Sequence, residues 1–148
     1  MIAGVASLPV SAKIVDIRSA LGSGAVVIQS PPGTGKTTVV PQVVAEECAG
    51  RVIVTQPRRV AARAAARRIA ALRGERVGES VGFSVRGESR GGPGTRIEMV
   101  TPGVLVRRLQ RDPELTGIGA VILDEVHERH LDTDLAMAMC VDVRGALR

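Results

Sequence analysis

Aromatic side chains are almost missing from this sequence: Phe83 stands alone among 148 residues, with no Tyr and no Trp. A chain so poor in rings cannot build the base-stacking platforms of RRM and OB-type single-strand binders, so any contact with nucleic acid must run through phosphates and sugars. Cysteine is equally scarce. Cys48 and Cys140 lie 92 positions apart with no CxxC pair, which excludes a disulfide framework and a zinc site and leaves two buried thiols in a reducing compartment. No apolar run reaches the roughly 18 residues of a membrane span without Gly, Pro or charge. The stretch from Met1 to Leu21 lacks the basic flank, apolar run and cleavage site of a signal peptide. These absences predict a cytoplasmic chain without membrane contact. Lysine is the last scarcity: of 20 basic side chains, only Lys13 and Lys36 are not arginine.

What is present is ordinary globular material, 45% hydrophobic and 24% charged, in a length that suits one domain. The net charge of +5 is unevenly spread. Eight arginines face a single acid, Glu75, between Arg51 and Arg76, whereas Asp112 to Asp134 holds seven acids and one base, Arg129. A basic block followed by an acidic block predicts an anion-binding face and a separate cation-binding point.

Short apolar runs alternate with helical stretches. Ala25-Val26-Val27-Ile28-Gln29 reads as a buried parallel strand, followed by a Pro/Gly turn and a helix from Lys36 to Glu47. Arg51-Val52-Ile53-Val54-Thr55 is a second strand, and Arg58 to Arg73 a helix that buries Ala62, Ala65, Ile69 and Leu72. Strands at Ser80 to Val85 and Thr95 to Val100 flank a Gly-rich loop, and a short helix covers Val104 to Arg111. A buried strand, Ala120 to Leu123, runs into Asp124-Glu125, and an apolar helix spans roughly Thr133 to Val143. The alternation predicts an α/β, three-layer sandwich with a mainly parallel sheet, whose ligands bind beyond the carboxyl ends of the strands.

The chemistry is concentrated in two segments. Ser30-Pro31-Pro32-Gly33-Thr34-Gly35-Lys36-Thr37-Thr38 lies between a strand and a helix, the setting of a phosphate-binding loop. Gly33 and Gly35 let backbone amides turn toward phosphate oxygens, and the helix N-terminus adds partial positive charge. Lys36 offers a compact ammonium where a planar guanidinium would not fit, and the Thr37 hydroxyl can ligate Mg2+. Ser30 stands where the strict GxxxxGK[ST] pattern has Gly. In Leu123-Asp124-Glu125-Val126-His127-Glu128-Arg129, a carboxylate at a strand end can hold Mg2+ opposite such a loop, and Glu125 is placed to orient or deprotonate water. His127 and His130 lack HExxH spacing, so zinc is rejected.

Gly33-Thr34-Gly35-Lys36-Thr37-Thr38, Thr55-Gln56-Pro57-Arg58-Arg59-Val60-Ala61-Ala62, Thr101-Pro102-Gly103 and Asp124-Glu125-Val126-His127-Glu128-Arg129 follow one another here. They resemble motifs I, Ia, Ib and II of DExH/DEAH-box RNA helicases. Val85-Arg86-Gly87-Glu88-Ser89 and Leu8-Pro9-Val10 are similar to the bacterial HrpB-type branch. The departures are Ser30 and Val126, where Ala or Phe is more familiar. The resemblance implies that residues 1–148 form an N-terminal RecA-like phosphate-loop lobe that uses ATP and Mg2+ and pulls on single-stranded RNA. Arg58, Arg59, Thr101, Pro102 and Gly103 would contact the RNA backbone, His127 would couple the nucleotide site to other motifs, and Arg68 would stack on adenine. It also implies a Ser-Ala-Thr motif on a further strand, then a second RecA-like lobe carrying the arginine fingers, both beyond Arg148. A lobe cut there is expected to self-associate through a free sheet edge and the apolar residues around Leu135 to Met139.

Other phosphate-loop NTPases compete less well, since neither the guanine-reading Asn-Lys-x-Asp nor Leu-Ser-Gly-Gly-Gln occurs. A nucleotide-gated RNA-binding module without chemistry is the remaining alternative. Arginine fingers contribute on the order of 10³ to 10⁵ in rate, so the chain alone should bind ATP weakly, hydrolyse it very slowly and unwind no RNA. A steady-state ATPase rate near that of complete helicases, insensitive to Glu125→Gln, would refute this expectation.

Overall fold

A computed structural model describes residues 5–147. After a 3-10 turn at Pro9–Lys13, the helices are α1 (Ile14–Leu21), α2 (Lys36–Glu47), α3 (Arg59–Leu72), α4 (Pro102–Arg111) and α5 (Leu131–Leu147). The strands are β1 (Arg51–Thr55), β2 (Val81–Val85), β3 (Glu88–Arg90), β4 (Ile97–Val100) and β5 (Ile118–Leu123). They form one sheet in the order β3-β2-β4-β1-β5, parallel except for the β2–β3 hairpin.

Alternation along the strands builds the layers. Val52 and Val54 of β1 and Ile97 and Met99 of β4 pack with Val39 and Val43 of α2 and with Ala62, Ala66 and Ile69 of α3. Their neighbours Ile53 and Val100 point the other way, onto Leu105 and Leu109 of α4 and Ala136 of α5. This is the three-layer sandwich with a mainly parallel sheet that the alternation predicts. The inner face of α3 is turned slightly from expectation: Ala66 and Ala70 are buried with Ala62 and Ile69, whereas Ala65 and Leu72 are only partly covered. The thiols of Cys48 and Cys140 are half-buried rather than buried, and both are free. Burial nonetheless pushes both above the ordinary thiol value.

One expected strand does not join the sheet. Residues 25–29 pair with no strand, and Val27 is 94% exposed. A β-branched run becomes a strand only when a neighbour supplies hydrogen-bond partners. Among the described residues β5 is paired only with β1, and its own apolar positions remain partly exposed. The outward side of α5 is likewise open, with Leu131 82% and Val141 66% exposed.

Polar side chains brace the ends of the layers. Arg96, entering β4, donates to the carbonyls of Gly50, Ala45 and Cys48, satisfying groups that the end of α2 leaves free. Pro41 lies inside α2, where it has no amide to offer the carbonyl one turn earlier.

Glu98, in the middle of β4, is the buried charge of the sheet. Both of its oxygens are taken by Arg108 of α4, at 2.6 and 2.9 Å, with Arg51 of β1 at 2.9 Å and the Ser84 hydroxyl at 2.6 Å. Burial alone would push this carboxyl up, but these donors overcome it and hold it at about 2, from an ordinary 4.5. A depressed native value stabilises the fold above the unfolded one, and that contribution is lost as pH falls from about 4.5 to about 2. Glu98→Gln should cost about 2 to 3 kcal/mol at pH 7, less than for a fully buried pair because both arginines reach solvent. Urea midpoints should show the margin of the wild type over the variant shrinking as pH falls across the acid window.

Candidate active site

The carboxyl ends of β4, β1 and β5 lie side by side, because the three strands are parallel neighbours. Each hands the chain to a segment carrying predicted site residues: Thr101 after β4, Gln56 to Arg59 after β1, and Asp124 to His127 after β5. The glycine loop joins them from residues 30–35.

The loop reaches α2 through left-handed glycines, Gly33 at φ +76° and Gly35 at φ +92°. Gly35 is required twice over, since a Cβ there would also stand 2.8 Å from Leu8 Cδ1. The Leu8 segment is pinned to the loop by the Val10 amide, which donates to the Thr34 carbonyl at 3.0 Å. Inside the loop the Ser30 and Thr34 hydroxyls are hydrogen-bonded at 2.7 Å, and Lys36 Nζ donates to the Ser30 carbonyl at 2.6 Å. Serine at position 30 therefore contributes both a carbonyl and a hydroxyl to loop closure.

The Thr37 hydroxyl donates to Asp124 Oδ2 at 2.6 Å, joining the two segments singled out for chemistry across 87 positions. A second donor, Gln56 Nε2, reaches the same oxygen at 2.6 Å, and the Glu125 amide holds Oδ1 at 2.9 Å. Glu125 itself is left-handed, φ +57°, which swings the chain out of the strand direction into a 3-10 turn, Val126–Glu128. Its carboxylate lies 3.2 Å from His127 Nε2. His130 Nε2 donates to Glu128 at 2.8 Å, and Arg58 bonds the other Glu128 oxygen at 3.1 Å. The His130 bond and the Arg58 charge hold the Glu128 carboxyl below its ordinary range.

Arg68 lies on α3 with Nε 3.3 Å from the Thr38 hydroxyl, which places it beside the first turn of α2. Arg59 is exposed at the start of α3. Thr101, Pro102 and Gly103 open α4, and neither α3 nor α4 has a side-chain cap at its N-terminus. The basic block is not one continuous anion-binding face. Arg51 is spent on Glu98, Arg63 on Glu88 and Arg73 on Glu75, because guanidinium groups serve as internal braces throughout this chain. Gln56 is the site residue whose role composition and spacing missed. Its signal was a carboxamide between a buried strand and Pro57, and it is only 5% exposed.

A glycine loop at a helix start, facing a strand-end carboxylate on a mainly parallel sheet, defines a RecA-like lobe of the phosphate-loop class. Residues 14–136 match the DEAD/DEAH box helicase family, and the chain belongs to that family. It is similar to the ATP-dependent RNA helicase HrpB of Escherichia coli, 47% identical over 97% of this chain and 18% of that protein. The DExH-box ATP-dependent RNA helicase DExH1 of Arabidopsis thaliana is 42% identical over 79% of this chain and 12% of its own length. The crystal structure of Escherichia coli DEAH/RHA helicase HrpB superposes with a TM-score of 0.90, covering 95% of this chain and 18% of that one at 46% identity. The chain thus spans about a fifth or less of the length of these relatives. No helix among the described residues is long and apolar enough to cross a membrane.

Gly35→Ala should destabilise the chain by about 1 to 3 kcal/mol, since it combines left-handed strain with the Leu8 clash. Gly33→Ala has the same backbone strain but nothing within 4 Å of its Cβ. Thermal melts should therefore show the larger loss at Gly35.

Proposed function

We propose that this chain is the N-terminal ATP-binding lobe of an ATP-dependent RNA helicase, taking Mg-ATP on the loop and the backbone of single-stranded RNA beside it. The observation that carries the reading is the 2.6 Å contact between Thr37 and Asp124. A hydroxyl and a carboxylate meeting beside a glycine loop are hard oxygen donors suited to Mg2+, and not to a softer metal.

In this reading the loop amides from Gly33 to Lys36, including Thr34, surround the phosphates, and the start of α2 supports their charge through Thr37 and Thr38. Lys36 exchanges the Ser30 carbonyl for a phosphate oxygen. Thr37 and Asp124 would hold the magnesium, which would neutralise phosphate charge. Glu125 orients the attacking water and accepts its proton, and His127 beside it passes the state of the site to other parts of the enzyme. Arg68, 3.3 Å from the Thr38 hydroxyl, would stack on the adenine. Arg58, Arg59, Thr101, Pro102 and Gly103 sit at the starts of α3 and α4, which carry no side-chain cap, so the free amides there, Pro102 having none, favour phosphates and give sequence-independent binding without aromatic stacking. The rest of the RNA channel and the charge-stabilising arginines belong to a second lobe.

The test is binding of a fluorescent ATP analogue with Mg2+, and of labelled single-stranded RNA, by the folded chain. Lys36→Ala and Asp124→Ala should each weaken nucleotide binding about tenfold or more. Replacing Arg58 and Arg59 together should lower RNA affinity and flatten its salt dependence by about 1.4 log units per log unit of salt, for two phosphate contacts. Unchanged nucleotide affinity in both single variants would overturn the reading.

A further inference from the structure

Gln56 sits where three parts of the proposed site meet. Its amide donates to the Val100 carbonyl at 2.8 Å, the residue before Thr101, and its side chain donates to Asp124 Oδ2 at 2.6 Å. Two residues further on, Arg58 reaches Glu128, four positions past Asp124. The chain between β1 and α3 is thereby tied twice to the segment after β5, once inside the molecule and once at its surface. The neighbouring Thr55 hydroxyl is fully buried and without a hydrogen-bond partner among the described residues. Polar groups are costly at such a strand end unless they bond, so a buried carboxamide here needs a purpose, and the shared oxygen supplies it.

We propose that Gln56 is a positioning residue that holds the Asp124 carboxylate against Thr37 and couples the RNA-facing turns to the magnesium site. The inference rests on the reading of the site given above. Gln56 lies two residues before Arg58, so a shift of the Arg58–Arg59 turn on binding RNA is passed to its side chain, which is hydrogen-bonded to Asp124, while its amide stays on the end of β4. Displacing that donor alters the direction in which Oδ2 faces the loop, so RNA and Mg-nucleotide become linked ligands. Linkage is reciprocal: whatever RNA does to nucleotide affinity, nucleotide does to RNA affinity by the same factor.

The experiment measures the affinity of the folded chain for a fluorescent, non-hydrolysable ATP analogue with Mg2+, with and without saturating oligouridylate. It compares the wild type, Gln56→Met, which keeps length and loses the donor, and Lys36→Ala. Wild type should show a linkage factor of about five or more. Gln56→Met should bind the Mg-nucleotide about tenfold more weakly, as loss of a group orienting a metal ligand does, and its linkage factor should fall to one. A merely structural role would lower the melting temperature and leave the linkage factor alone, and that result overturns the proposal, as does a wild-type factor of one. Gln56→Asn, one methylene short of Asp124 and still polar, carries the same comparison if the methionine variant melts early. If Lys36→Ala weakens nucleotide binding while both Gln56 variants match the wild type, this inference falls and the function stands. If Lys36→Ala and Asp124→Ala are both without effect, both fall.

Discussion

The arrangement depends on one carboxylate being held from three sides. Asp124 receives a hydroxyl from the start of α2, a carboxamide from the end of β1 and the amide of the residue that follows it. Two of the donors come from distant stretches of chain, and the fold brings them to the carboxylate. Parallel pairing of β1 with β5 places Thr55 beside Leu123, so that Gln56 and Asp124 leave the sheet together. A carboxylate bonded from three directions has little freedom to rotate, which is what a metal ligand needs if binding is not to be offset by lost side-chain entropy.

Much of this could be read from residue order, and the failures have physical causes. β1, α2 and the ends of the helices follow from β-branched runs and from glycines at positive φ, both local signals. The Lys36 loop and the Asp124 strand end are legible because few residue types can hold a phosphate or a hard cation. Residues 25–29 misled because strand propensity describes the side chains, whereas strand formation depends on a neighbour that local sequence does not contain. β3 is only three residues long and polar, so it leaves no alternation to detect. Gln56 was hidden for a related reason: its significance is a distance to a residue 68 positions away.

Charge is used in two ways along the chain. Arginine acts mainly as a brace, its planar fork filling Glu98, the end of α2 and the β2–β3 hairpin, and this explains why a basic stretch of sequence does not become a basic face. Of the two lysines, Lys36 closes the loop and Lys13 pairs with Asp16 at the surface. Arg58 and Arg59 remain at the surface.

Pro41 gives the helix behind the loop an unequal stiffness. With no amide at position 41, the Thr37 carbonyl lacks the bond that would tie it to the next turn, although Gln42 adds a side-chain bond to Thr38. Lys36 and Thr37 therefore ride on a turn that is one rung short of the remaining ladder, while Arg96 clamps the far end of the same helix to β4. The rod is anchored at its tail and compliant at its head, so small displacements around the loop can be absorbed locally without disturbing the valine layer beneath.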